Sequence, residues 1–149
     1  MARFRFSMQN ILEMKEKLED QAKNEFSRAN MRLIEAQDER DRLKNRQSKA
    51  EEDLTRTVQD VLDVRTIRQK EDAVEILKMY VTQQELVVAQ RQQEVNEARE
   101  VLNQAMRERK TFEKLREKAF EEFMIEENRK EQKEVDELVS YRYGSAATE

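Results

Sequence analysis

Across 149 residues the chain has no proline and a single glycine, Gly144. A backbone so short of turn formers has few places to reverse, so it can build little other than long helices. From Ile11 the apolar residues step by threes and fours through Leu18, Ala22, Phe26, Ala29, Leu33, Ala36, Leu43, Ala50, Leu54, Val58 and Val61, with polar steps at Lys15, Arg40 and Gln47. A second ladder runs Val74, Leu77, Val81, Val88, Val95, Ala98, Leu102, Ala105, Phe112, Ala119 and Phe123, interrupted by Gln84, Arg91, Arg109 and Arg116. A 3.5-residue repeat held this long predicts a helix whose narrow apolar stripe meets one partner helix in a left-handed supercoil.

The spacing separates order from disorder. Charged residues make up 42% of the chain and apolar ones 37%, a balance that alone would also suit an unfolded segment. Net charge is only −4, however, so self-repulsion is weak. Pairs such as Glu13–Lys17 and Glu126–Lys130 stand one helical turn apart, as expected of solvated helix faces.

Boundaries must be read from caps. Ser7 has the chemistry of an N-cap, with Phe6 and Ile11 placed to staple the first turn. The ladders lose phase between about Thr55 and Asp72, where β-branched residues cluster and Thr66 with Gln69 has capping-box spacing. Gly144 suits a left-handed helix end. The expected architecture is all-α: one long antiparallel two-helix coiled-coil hairpin over 1–149. Helix one spans about 8–56, a turn or short helix about 57–68, and helix two about 69–143, with a frayed tail at 144–149. Folded about residues 60–66, the first helix runs out near its N-terminus while the second continues for about 25 residues, at the end that carries both termini. The rod should reach about 100 Å. Its overhang bears Phe120, Phe123, Met124, Val135, Leu138 and Val139, which self-association or a fold-back of the first residues could cover in part. An uncovered apolar stripe of this kind more often marks a partner's site.

Missing residue types restrict the chemistry. Without His or Cys there is no imidazole or thiol catalysis, no Cys/His zinc site and no Glu-x-x-His ligand pair. One glycine rules out glycine-rich phosphate loops. Carboxylates abound, but a two-helix rod offers no concavity to split their pKa values. No enzyme activity, metal or cofactor is expected. The absence of cysteine says nothing of an oxidising compartment, and no segment reads as a signal peptide or membrane span, so a cytoplasmic location follows by default. "RDRLKNRQSK" (Arg40 to Lys49) carries five cations and one anion, as a basic-zipper region might, but Glu51, Glu52 and Asp53 follow and no clean zipper comes after. Nucleic acid is not an expected partner.

The two ends carry a family resemblance. "FRFSMQNILEMKEKLEDQAKNEFSRAN" resembles the opening of FliJ-family proteins of the flagellar type III export apparatus, where an aromatic-basic-aromatic start precedes a "LL-E-K---ED-A" helix. "FEKLREKAFEEFMIEENRKEQKEVDELVSYRYG" is similar to that family's close, in which a "K-REK" stretch leads to "E-K-MDE". The resemblance implies a non-enzymatic coiled coil, similar to the stalk of rotary ATPases, at the cytoplasmic side of the cell membrane. It implies contact with the export ATPase hexamer, with the cytoplasmic domain of the export gate, and with export chaperones. The implied ATPase contact comprises Phe4, Phe6, Met8, Phe120, Phe123, Met124, Lys130, Lys133, Val135, Leu138 and Val139. The implied gate contact comprises Ile76, Leu77, Tyr80 and Val87, although Leu77 by its spacing reads as core. A monomer when free, without membrane insertion, fits this role. The alternatives are an injectisome relative, a rotary-ATPase stalk subunit, and a dimerising scaffold.

Overall fold

A computed structural model describes residues 2–60 and 63–147, the side chain of residue 147 excepted. Two long helices pack against each other: α1 (Gln9–Gln59, 51 residues) and α2 (Val64–Ala147, 84 residues). No strand occurs among the described residues.

The helix ends differ from the sequence reading in instructive ways. The first α1 carbonyl to accept a helical bond is that of Met8, from Leu12 N at 3.0 Å, and Ser7 lies in the preceding turn, where Gln9 N donates to Phe6 O at 3.1 Å. Ser7 is therefore one residue too early to be the cap. At the turn, α1 persists three residues beyond the expected end, and α2 starts five residues before the expected start. Asp63 is the reason: its carbonyl accepts from Ile67 N at 3.0 Å, and its carboxylate accepts from Arg65 N at 3.1 Å and Thr66 Oγ1 at 3.0 Å. Thr66 thus sits inside the first turn as a donor to the cap. No separate short helix intervenes among the described residues, and Val61 of the first ladder lies outside them. At the far end α2 runs through Gly144 to Ala147 with no positive-φ glycine. One glycine costs a helix only about 1 kcal/mol, which does not force termination.

The sequence reading treats the chain as one unit, but its contacts gather into two compact ones: Met1–Asp20 with Gln104–Glu149, and Gln21–Asn103. In the 21–103 unit the helices run antiparallel, since Lys44 bridges Glu85 at 3.2 Å while Lys70 bridges Asp53 at 3.1 Å. Its seam is small and apolar. Ala29, Leu33 and Val95 form the buried centre, with Phe26, Val88 and Ala98 packed on it, and Val95 is only 1% exposed. Alanine layers let the backbones approach, so a thin two-helix seam still removes Val95 from water. Two of the predicted polar steps stay bonded at the seam: Gln84 Nε2 donates across it to the Ala36 carbonyl at 3.0 Å, and Arg91 Nη1 meets both oxygens of Glu94, one turn along its own helix, at 3.0 Å.

The unit formed by 1–20 and 104–149 is also antiparallel, with Lys15 on Glu108 and Gln9 on Arg116. Here the phase of the first ladder is corrected. Leu12 and Glu19 are buried, whereas Ile11 and Leu18 are 37% and 41% exposed. Val58, at the other end of that ladder and in the 21–103 unit, is exposed too.

Candidate partner-binding interface

Glu19 explains the shifted phase. It is 4% exposed, and its carboxylate meets the Arg109 guanidinium, which also holds Glu113 at 2.8 Å. One turn away, Lys15 Nζ bonds Glu108 at 3.0 Å and lies 5.9 Å from the Phe112 ring centre. Turning α1 to seat Ile11 and Leu18 would leave Arg109 in the seam without Glu19. The hydrogen bonds from Lys15 and then Gln104, with the lysine's charge, hold the Glu108 carboxyl below the ordinary carboxylate range. Glu113 and then Glu19 push the Arg109 guanidinium further up. These are packing interactions: among the described residues no group of carboxylates could hold a metal.

Beyond this layer, at the end bearing the N-terminus, residues 2–8 leave the helical path and lie on α2. The Phe4 ring meets Phe120 edge-on, with centres 5.2 Å apart and planes at 81°, and is tilted on Phe123 at 5.5 Å. Phe120 and Phe123 stand 6.5 Å apart at 27°. The Arg116 guanidinium covers Phe4 at 5.7 Å, and its Nε donates to Gln9 Oε1 at 3.1 Å. On the other flank Phe6 and Met8 border an open groove with Leu115, Lys118 and Glu122. The structure thus brings Phe4, Phe6, Met8, Phe120 and Phe123 together, and Phe120 remains 45% exposed.

The rest of the expected ATPase contact stays uncovered. Met124, Val135, Leu138 and Val139 are exposed, Leu138 at 65%. From 128 to 146 every side chain of α2 is exposed. Lys130 lies 4.0 Å from Glu127, and Lys133 is open to solvent. Tyr141 and Tyr143 extend this apolar face, and their aromatic character alone could have nominated them. In the 21–103 unit, Ile76 and Tyr80 are exposed and Leu77 and Val87 half-buried. Met79 and Leu86 widen that patch and were not singled out from sequence. No described helix is long and apolar enough to cross a membrane.

Two long unequal helices packed on each other, with apolar side chains left outside the seam, define an all-α helical hairpin. The chain belongs to the family of flagellar FliJ proteins: the family model "Flagellar FliJ protein" matches residues 4–148. The Flagellar FliJ protein of Bacillus subtilis (strain 168) is 27% identical over 138 residues, covering 91% of this chain and 92% of the relative. Among solved structures, CT670 from Chlamydia trachomatis, described as a YscO homolog, has the same fold with a TM-score of 0.54, 21% identity and 99% of each chain covered. Membership makes the chain a component of the flagellar type III export machinery.

Proposed function

We propose that the protein is a non-enzymatic, stalk-like component of flagellar protein export, in which the free end of α2 binds the hexameric export ATPase. The observation that carries this is the set of exposed apolar side chains at Met124 and Ile125 and again, after the polar stretch 126–134, at Val135, Leu138 and Val139, on a helix whose partner helix has already ended. A soluble helix that keeps such a stripe open matches a protein surface that seats large aliphatic anchors. Lys130 and Lys133 form the rim of the contact and set its salt dependence. The patch of Ile76, Leu77, Tyr80 and Val87 faces the export gate, with Tyr80 and Ile76 as its accessible residues. Escort of export chaperones, a free monomer and a cytoplasmic position held at the membrane by the apparatus complete this reading.

Two measurements test it. The isolated chain neither binds nor hydrolyses ATP, and when added to the purified export ATPase of the same cell it raises turnover by favouring the assembled ring. Replacing Val135 and Leu138 with Ala lowers affinity for that ATPase by about tenfold or more, since a helix laid in a groove is held by a few apolar anchors and this variant truncates two of them. Unchanged affinity in that double variant overturns the proposed contact. ATP hydrolysis by the purified chain overturns the non-enzymatic role.

A further inference from the structure

The segment lying on Phe120 and Phe123 is a chemical counterpart of the surface beneath it. Residues 3–6 read Arg-Phe-Arg-Phe, and residues 120–123 of α2 read Phe-Glu-Glu-Phe. Phe4 sits between the two α2 rings, and Arg5 lines the same groove as Lys118 and Glu122. The cover is shallow: Phe4, Phe6 and Met8 are only half-buried, and Phe120 is nearly half open. It also lies outside α1, tied through the turn bond from Gln9 N to Phe6 O and the Arg116 contacts. Lifting residues 2–6 therefore breaks no bond of the helix itself.

We propose that residues 2–6 are a displaceable cap on α2, and that the partner segment taking their place presents an aromatic or large aliphatic side chain flanked by basic residues. This rests on the reading that the end of α2 meets the export ATPase. Met124 borders the surface under the cap, and beyond the polar stretch 126–134 the same helix exposes Val135, Leu138 and Val139, so a partner laid along α2 reaches the Phe4 site at one end of its path. Glu122 lines this groove beside Arg5 and Lys118 and offers a carboxylate to a basic residue flanking the partner's apolar side chain, which adds selectivity to the apolar contact. In the free chain the cap competes at the high effective concentration of a tethered ligand and shields the ring pair from other copies. Apparent affinity for the partner is then the intrinsic affinity multiplied by the fraction of chains with the cap lifted.

The chain has no cysteine, so a bridge can be placed cleanly. Arg5→Cys and Lys118→Cys, joined by a short cleavable bis-maleimide, lock the cap down with Phe4, Phe120 and Phe123 intact. Circular dichroism of the bridged form verifies its fold, and the same variant after cleavage is its control. The locked form is expected to bind the purified export ATPase about tenfold or more weakly, with affinity restored on cleavage. Phe4→Ala, which cannot hold the cap, is expected to bind several-fold tighter than the unsubstituted chain. Equal binding by the locked and cleaved forms, while Leu138→Ala still weakens binding, overturns the cap and leaves the ATPase contact standing. Weaker binding by Phe4→Ala also overturns the cap, because the ring would then be touching the partner itself. Unchanged affinity in Leu138→Ala overturns the ATPase contact, and with it the competition the cap is proposed to supply.

Discussion

The two units carry the same seam pattern and fill it in opposite ways. In the 21–103 unit the buried layer is Ala29, Leu33 and Val95, with no charge at its centre. In the unit of 1–20 and 104–149 the corresponding layers hold Lys15, Glu19 and Arg109, each met by an opposite charge. An apolar seam stabilises by removing area from water and tolerates sliding, because one small aliphatic layer resembles the next. A buried ion pair gains little net stability but penalises every register that separates its members. The first unit is built to hold; the second is built to hold in one register only.

Breaking each seam at its deepest residue should expose that division. Val95→Asp places an unpaired carboxylate where almost nothing is exposed and should cost about 3 kcal/mol or more, seen as a large fall in the thermal midpoint by circular dichroism. Leu33→Ala at the same layer should cost about 2 kcal/mol or more. Glu19→Ala should lower the midpoint less than Val95→Asp, because Arg109 keeps Glu113 and part of its hydration. The sharper test is Glu19→Leu with Arg109→Leu: stability should hold or rise while cross-linking reports more than one register. If that double variant melts far below the parent and keeps a single register, the charged layer is a stability element after all.

How far this was legible in sequence follows the same division. The second ladder places Val74, Val81 and Val95 at the seam, and all three are buried, because their spacing and their hydrophobicity agree. The first ladder fails at its start, where the two criteria disagree. Ranking by hydrophobicity selects Ile11 and Leu18, but the seam takes Leu12 and Glu19 because α2 presents Arg109 there. That signal is readable only by pairing one ladder's polar steps against the other's, charge for charge. Capping-box spacing points to Thr66, yet Asp63 caps α2, since a carboxylate serves the Arg65 amide and the Thr66 hydroxyl together. Of the candidate site, the sequence offered a fold-back of the first residues over part of the overhang as one way to cover Phe120 and Phe123, without naming the ring that does so. That Phe4 turns its ring onto Phe120 and Phe123 needed coordinates.

Smaller effects refine the contrast within the terminal unit. Phe123→Ala should cost about 1 kcal/mol through its lost contact with Phe4, whereas Leu138→Ala should change stability by less than about 0.5 kcal/mol. Equal losses from both would mean that the exposed part of α2 has a structural partner. The Glu108–Lys15 bond should give a weak acid dependence. Because the folded carboxyl is held below its ordinary range, its contribution is full above that range and fades as pH falls through the lowered value. Lys15→Met should flatten that part of a melting-against-pH curve. Smallest of all, Gly144→Ala meets open space and should raise helical ellipticity slightly, by at most about 1 kcal/mol of local helix stability.

The exposure of every side chain from 128 to 146 also determines where a protease acts first. A helical stretch with so little buried opens by local fraying, at a free energy set largely by its own hydrogen bonds and short-range pairs such as Arg129 with Glu126. Trypsin should therefore cut after Arg129, Lys130, Lys133 and Arg142 before it touches the paired helices, and a truncated hairpin should accumulate as a resistant fragment. The order of cleavage then reports occupancy: whatever engages the end of α2 delays those four cuts and leaves cutting within the paired helices unchanged.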